Sequence, residues 1–224
     1  MKKIIASIFV GALLLVGTQA TAQVVVGAGY LHSIENTKNK SDGKAVGDPV
    51  HLNGFYVGAS YSIRFSKYFG VAPGFYVDFL FQSKDNNSGG TFGGIMLSGN
   101  ASYRYTEIDL NVPVNLTFTA PISSNAEFFA FAGPTFQYGV MARSTFSGSV
   151  QIGGFNYGGS EPYNHYGDKG DTNPFNIYLG GGIGFQVGDI QFLAGYDYGV
   201  MNMDKSGNYS TNRSNIKAGI NFAF

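Results

Sequence analysis

The chain has 224 residues, with 14 Lys+Arg against 14 Asp+Glu, no cysteine, no tryptophan and 33 glycines. Aromatic residues make up 16% and charged residues only 12%. The charge balance excludes a nucleic-acid role, the cysteine count excludes a disulfide framework, and the length fits a single domain.

Residues 1–22 open with Lys2 and Lys3, continue through an apolar run and end in Gln19-Ala20-Thr21-Ala22. A basic start, a short apolar core and a small-residue site read as a secretory signal peptide cleaved after Ala22. That leaves residues 23–224 as one β-barrel domain with 12 basic and 14 acidic residues, a net charge of −2. Beyond the leader no apolar stretch is long enough for a helical span.

Eight alternating segments follow. In residues 24–32, Val24, Val26, Ala28 and Tyr30 oppose Val25, Gly27, Gly29 and Leu31. In 51–65, Phe55, Val57, Ala59, Tyr61, Ile63 and Phe65 oppose Tyr56, Gly58, Ser60, Ser62 and Arg64. In 69–82, Phe69, Val71, Phe75, Val77, Phe79 and Phe81 oppose Gly70, Tyr76, Asp78, Leu80 and Gln82. In 103–119, Ile108, Leu110, Val112, Leu116 and Phe118 oppose Tyr105, Glu107, Asp109, Asn111 and Asn115. Segment 127–142 is less regular; with Phe128, Phe136, Tyr138 and Val140 outward, Phe129 and Phe131 turn inward. In 175–187, 190–200 and 213–224 the alternation is clean, ending on Ile216, Ala218, Ile220, Phe222 and Phe224. A period of two means a strand with one oily and one polar face.

The connections 66–68, 121–126 and 188–189 are short, whereas 33–50, 83–102, 144–173 and 201–212 are long and rich in Gly, Asn, Ser and Asp. Three short turns and four long loops are what an eight-stranded antiparallel up-and-down transmembrane barrel requires when both ends lie in the periplasm. A soluble sandwich or lipocalin-like barrel would put the oily face inward. Phe65, Phe69, Phe118, Phe128, Phe185 and Phe192 share the outward face at the turn end, as a lower aromatic girdle. Pro73, Pro113 and Pro134 lie inside predicted strands, where a bulge that flips the faces is expected.

The all-β barrel's interior then holds Arg64, Asp78, Glu107, Asp109, Asp197 and Lys217. Eight strands leave a lumen that side chains can fill, so these charges are expected to pair as a polar plug. Catalysis needs a nucleophile and base within hydrogen-bond reach. His32 and Ser33 are adjacent and point to opposite faces, and nothing demands that His51 meet Ser33, so no enzyme is expected. His32, His51 and His165 are scattered, and the loop acids Glu35, Asp42, Asp48, Asp85, Asp168, Asp171 and Asp204 lack ligand spacing. No metal or cofactor is expected, and those acids read as a solvated rim. The third loop carries Phe155, Tyr157, Tyr163 and Tyr166 among glycines. It reads either as a contact surface or as a β-ribbon above the membrane.

The Ala22-Gln23 junction, the Tyr105-Thr106-Glu107-Ile108 stretch running to Pro113-Val114, and Ala132-Gly133-Pro134 with Phe136 and Tyr138 carry a resemblance. The chain resembles the small eight-stranded outer-membrane barrels, and in texture the PorT-like outer-membrane beta-barrel domain family. Two extra residues separate Glu107 from Pro113 relative to that family's tighter pattern. The resemblance implies an integral outer-membrane protein whose closing strand, through Phe224, Phe222 and Ile220, is read by the barrel assembly machinery. Outer-membrane lipid and lipopolysaccharide are the expected surroundings, with an unnamed loop ligand and a monomeric state. The expected role is structural or adhesive through four extracellular loops. A narrow channel or small-solute transporter is the alternative, and a lipid-modifying enzyme the third reading.

Overall fold

The computed structural model describes residues 21–92, 95–152, 155–167 and 170–224. The expected signal peptide falls almost entirely outside them. Nine strands are present: β1 (Thr21–Asn39), β2 (Val50–Arg64), β3 (Phe69–Phe92), β4 (Ile95–Ser123), β5 (Ala126–Ile152), β6 (Phe155–Asn164), β7 (Phe175–Val187), β8 (Ile190–Gly199) and β9 (Tyr209–Ala223). Each pairs antiparallel with its neighbours. β1 closes on β9, β4 on β5 and β5 on β7, so eight strands make an unbroken wall. The ninth, β6, pairs only with the outer part of β5 and stands outside that wall. The barrel is therefore the expected eight-stranded one, with an added strand in what the sequence left as the third loop.

The wall is inside out by the standards of a soluble protein. Val26, Phe55, Phe75, Leu179, Ile183 and Ile220 are exposed, while Asp78, Glu107, Asp109, Asn111 and Arg213 are buried. Alternation along each strand sorts the two sets, because successive side chains leave opposite faces. A row of exposed Val, Leu, Ile and Phe is stable only against lipid. The lumen has an apolar side as well. Leu31, Leu52, Tyr56 and Leu80 pack together behind β1, β2 and β3, with Tyr76 and Tyr105 against them.

At one end the turns are tight. Gly188 sits at φ 58° in the β7–β8 turn, a left-handed conformation that glycine adopts without a Cβ clash. At the other end the strands run on. β4 has 29 residues, roughly 95 Å along the strand at ~3.3 Å per residue, several times what a span needs. Most of the stretch expected as a loop, residues 83–92 and 95–102, continues the β3–β4 ladder from Ser83↔Arg104 to Phe92↔Ile95. β4 pairs on with β5 as far as Leu97↔Ile152, and β5 with β6 from Arg143↔Asn164 to Ile152↔Phe155. The outer halves of β3, β4, β5 and β6 thus form one four-stranded sheet that stands beyond the barrel. Short turns face the periplasm in such barrels, so this sheet faces outside.

The prolines do not act as expected. Pro113 pairs with Thr135 and Pro134 with Leu179, with the register unchanged to either side. Faces after Pro113 are kept: Leu116 is exposed and Thr119 buried. The flip lies elsewhere. Ile108 pairs with Met141 but Asp109 with Gly139, which leaves Val140 as an extra residue in β5. Gly139 and Ala142 are both buried and Val140 is exposed, so inward parity changes from odd to even at this bulge.

Five of the six girdle phenylalanines form cross-strand pairs at the turn end, and Phe65 is exposed just past β2. Phe69 faces Phe118 with ring centroids 5.4 Å apart, and Phe128 meets Phe185 edge-on at 5.3 Å, with Phe192 next in register. Phe224 is exposed at the same end, its ring 4.7 Å from that of Phe222 and its N–H donated to Val24 O at 2.9 Å. Ile220 shares their outward face.

Candidate functional site: the lumen and its outer mouth

Arg213 is the centre of the lumen. It is fully buried, on the inward parity of β9, two steps outward from Lys217 along that face. Its Nη1 and Nη2 donate to the two oxygens of Glu107 at 2.8 Å each, a bidentate fork-to-carboxylate pair. Its Nε donates to Glu35 Oε1 at 2.8 Å, and Nη2 pairs with the same carboxylate. Asp109 Oδ2 lies 3.5 Å from Nη1. Gln137 Nε2 donates to Asp109 at 2.9 Å, and the Tyr178 hydroxyl donates to Gln137 Oε1 at 3.0 Å. From the β4 side the Tyr105 hydroxyl donates to Glu107 Oε2 at 2.9 Å.

The segment between β6 and β7 closes this cluster from outside. Tyr166 reaches down to donate its hydroxyl to Glu107, with Asp109 Oδ1 3.4 Å away. The Tyr166 ring lies directly on Gly139, where any Cβ would strike it. The lumen is therefore crossed by a buried layer in which three carboxyl groups gather around one guanidinium, two of them hydrogen-bonded to it. Charges so placed must pair, because an isolated one would carry several kcal/mol of desolvation cost.

Deeper in, Lys217 Nζ pairs with Asp197 Oδ2 at 2.8 Å, and buried Asp78 lies beside them. Below this pair is a cavity of about 140 Å³ reaching from Asp78 and Lys217 past Phe129 and Phe131 to Arg64. A water needs ~10–15 Å³ on this measure, so the cavity has room for several. Phe131 enters the lumen over Gly182, whose missing Cβ would sit 2.5 Å from the ring. At the periplasmic end Arg64 makes a bidentate pair with Glu127, both partly exposed. A hollow of about 330 Å³ opens there, bounded by Gln23, Gln186 and Phe224.

The six lumen charges expected from the sequence all face inward, but they do not form one network. Glu107 and Asp109 belong to the Arg213 layer, Asp78, Asp197 and Lys217 to the middle, and Arg64 to the periplasmic end. Arg213, Glu35 and Glu127 were missing from that set. Arg213 and Glu127 carried inward parity. By spacing Glu35 belongs with the rim acids, yet β1 runs on to Asn39 and turns it inward onto Arg213. Asp168 and the side chains of Phe155 and Tyr157 lie outside the described residues.

Two of the three histidines come together. The β1–β2 register sets Ile34 opposite His51 and His32 opposite Asn53, so His51 lies diagonal to His32 on the outward face. Their rings stack with centroids 5.4 Å apart, and His51 Nδ1 is 3.3 Å from His32 Nε2. Ser33 takes no part; it points inward and donates to Asn215. His165 stands at the mouth with Ser144 and Asp171. Burial alone would raise the Asp171 carboxyl, but hydrogen bonds from His165 and Thr172 outweigh it and hold the group below its ordinary value.

Residues 19–205 match the family model described as outer membrane protein beta-barrel domain. The chain belongs to that family. Its place is accordingly the outer membrane, and the apolar wall is its lipid-facing surface. No curated protein matches the chain. Among solved structures it is similar to Ail, the attachment invasion locus protein of Yersinia pestis, in complex with sucrose octasulfate. That likeness is 14% identity over 91% of this chain and 99% of that one, with a TM-score of 0.38. It is also similar to Neisserial surface protein A, at 13% identity over 91% and 99%, with a TM-score of 0.39. The outer membrane protease OmpT of Escherichia coli is similar at 10% identity over 94% and 100%, with a TM-score of 0.31.

Proposed function

We propose that this family member is a closed outer-membrane barrel that works through the sheet it presents outside, in a structural or contact-making role rather than as a conduit. The observation that supports the reading is the Arg213 layer. A fully buried guanidinium on Glu35 and Glu107, capped by Tyr166, fills the section an ion or solute would have to cross. What remains for function is the outer sheet of β3, β4, β5 and β6. Among the described residues β6 has a strand partner on one side only, so it is the edge strand of that sheet, the kind of edge to which a further strand can add. Pro162 and Glu161 on that edge are the residue types that keep it from pairing indiscriminately. A finer kinship with the PorT-like group rests on the strand around Glu107 and Pro113.

The test is conductance of the purified barrel in planar bilayers, beside adhesion of whole cells carrying it. The barrel should give no stable steps, and removal of residues 147–160 should lower cell adhesion without lowering the amount of barrel in the outer membrane. Stable single-channel steps from the unaltered protein would overturn the closed reading in favour of a narrow channel. Unchanged adhesion after the deletion would overturn the contact role.

A further inference from the structure

Three side chains at the outer mouth take no part in the Arg213 layer, yet they converge. Ser144 Oγ lies 3.0 Å from His165 Nε2, and His165 Nδ1 lies 3.0 Å from Asp171 Oδ1. A carboxylate accepts only, so His165 carries a proton on Nδ1 and donates it to Asp171. In the neutral ring Nε2 is then a lone pair facing the Ser144 hydroxyl. That is a nucleophile, a base and an orienting carboxylate in the order acyl transfer requires, judged by geometry and roles. The three come from β5 and the segment after β6.

The surroundings fit a working arrangement. His165 is held edge-on between the rings of Tyr105 and Tyr163, with centroids 5.5 and 4.8 Å away. Thr172 donates its hydroxyl to Asp171 at 3.0 Å and its N–H to the His165 carbonyl at 3.1 Å. The segment's course does not depend on the side-chain triad, because His165 N–H bonds Ala142 O at 2.9 Å and Lys205 N–H bonds Asp171 O at 2.9 Å. The site opens outward through Asp171 and His165, whose side chains are 58% and 19% exposed, with Ser144 at 9% just beneath them. The Tyr103 hydroxyl also lies beside Ser144.

We propose that Ser144, His165 and Asp171 form a hydrolytic site for small carboxylic esters arriving from outside the cell, independent of the contact role. Ser144 Oγ attacks the ester carbonyl while His165 Nε2 takes the hydroxyl proton. The C–O bond to the alcohol breaks, and the alcohol leaves with that proton. A water deprotonated by His165 then cleaves the acyl-serine, releasing the carboxylic acid and restoring Ser144. Asp171 is a positioning residue that acts through His165. Ser144 faces the mouth and not the lipid, so a soluble ester fits and a bilayer acyl chain does not. An ester suits the site better than an amide because its carbonyl is less stabilised by resonance and is attacked more readily.

The test uses the full-length folded barrel in detergent, a fluorophosphonate probe and p-nitrophenyl acetate and butyrate. The probe should attach to one site, mapped by peptide mass to Ser144, and ester turnover should exceed that of heat-unfolded protein. Ser144→Ala and His165→Ala should lower turnover by at least about 100-fold. Asp171→Asn should lower kcat far more than it changes KM, and Asp171→Glu should restore part of the loss. Each variant is checked for folding by its shift on an unheated gel. Absence of label on folded wild-type protein, or a label mapped away from Ser144, overturns the proposal whether or not the variants fold. Turnover unchanged in a folded Ser144→Ala overturns it equally.

Discussion

Replacing Arg213 with alanine removes the cation that three carboxylates share. Four charge-assisted hydrogen bonds are lost, two to Glu107 and two to Glu35. At about 1.5–3 kcal/mol each their gross worth is roughly 6–12 kcal/mol. Part of that returns, because Glu35 is partly exposed and regains water at the mouth. Glu107 and Asp109, both fully buried, do not regain it. The net expectation is that of a broken buried pair, about 3–5 kcal/mol. The assay is urea unfolding of the barrel in lipid vesicles, followed by gel mobility and tyrosine fluorescence. Arg213→Met combined with Glu107→Gln should recover more than half of the loss, since it removes both the cation and its bidentate partner. A folded Arg213→Ala within 1 kcal/mol of wild type would refute the reasoning, for the layer would then be a solvated one.

Lys217→Met should cost about 3 kcal/mol in the same assay, because it strands Asp197 and Asp78 together; Asp197→Asn in the same chain should relieve part of it. Gly139→Val places a side chain where the Tyr166 ring lies, so Tyr166 should leave Glu107 and stability should fall by about 1–3 kcal/mol, read against Tyr166→Phe as the control. Phe224→Ala, or a polar extension after Phe224, should lower the membrane-inserted yield; equal heat-modifiable protein in the outer-membrane fraction would reduce Phe224 to an ordinary lipid-facing residue. Asp171 is held below its ordinary value, whereas an unfolded carboxyl titrates near ~3.9. Its contribution to the order of the mouth is complete above about pH 4 and is lost as pH falls through the lower folded value. Amide-exchange protection at His165 and Thr172 should hold from neutral pH to about 4 and drop below it; a drop between pH 7 and 5 would refute this.

The wall was legible in the sequence because its faces obey a two-residue period that needs no knowledge of partners. Val26, Phe55, Leu116 and Ile220 announce lipid by parity alone. The lumen was legible only in part. Parity places Glu107 and Lys217 inside but does not say which meets which, since that depends on strand stagger around the closed wall. Hence Arg213, on the right face, went unrecognised as the partner of residues 106 and 178 positions away. The outer sheet was hidden for another reason. Ser, Gly and Asn in 83–102 read as loop, yet backbone pairing across β3, β4 and β5 makes them strand regardless of side chain. The mouth cluster was the least visible, because the face Ser144 presents hangs on an extra residue that no composition signal marks.

That extra residue, Val140, works like a frameshift. A strand is read two residues at a time, and one insertion exchanges every face downstream of it. Residues up to Gly139 are written in the frame that sends odd positions into the lumen; from Ala142 onward the even positions take that place. Were the bulge at Val140 drawn out into regular strand, the hydroxyl of Ser144 would be addressed to the membrane around the barrel, and Thr145 would take its place at the mouth. The same stretch of chain would then present a different set of groups to a different solvent, with no letter of it altered.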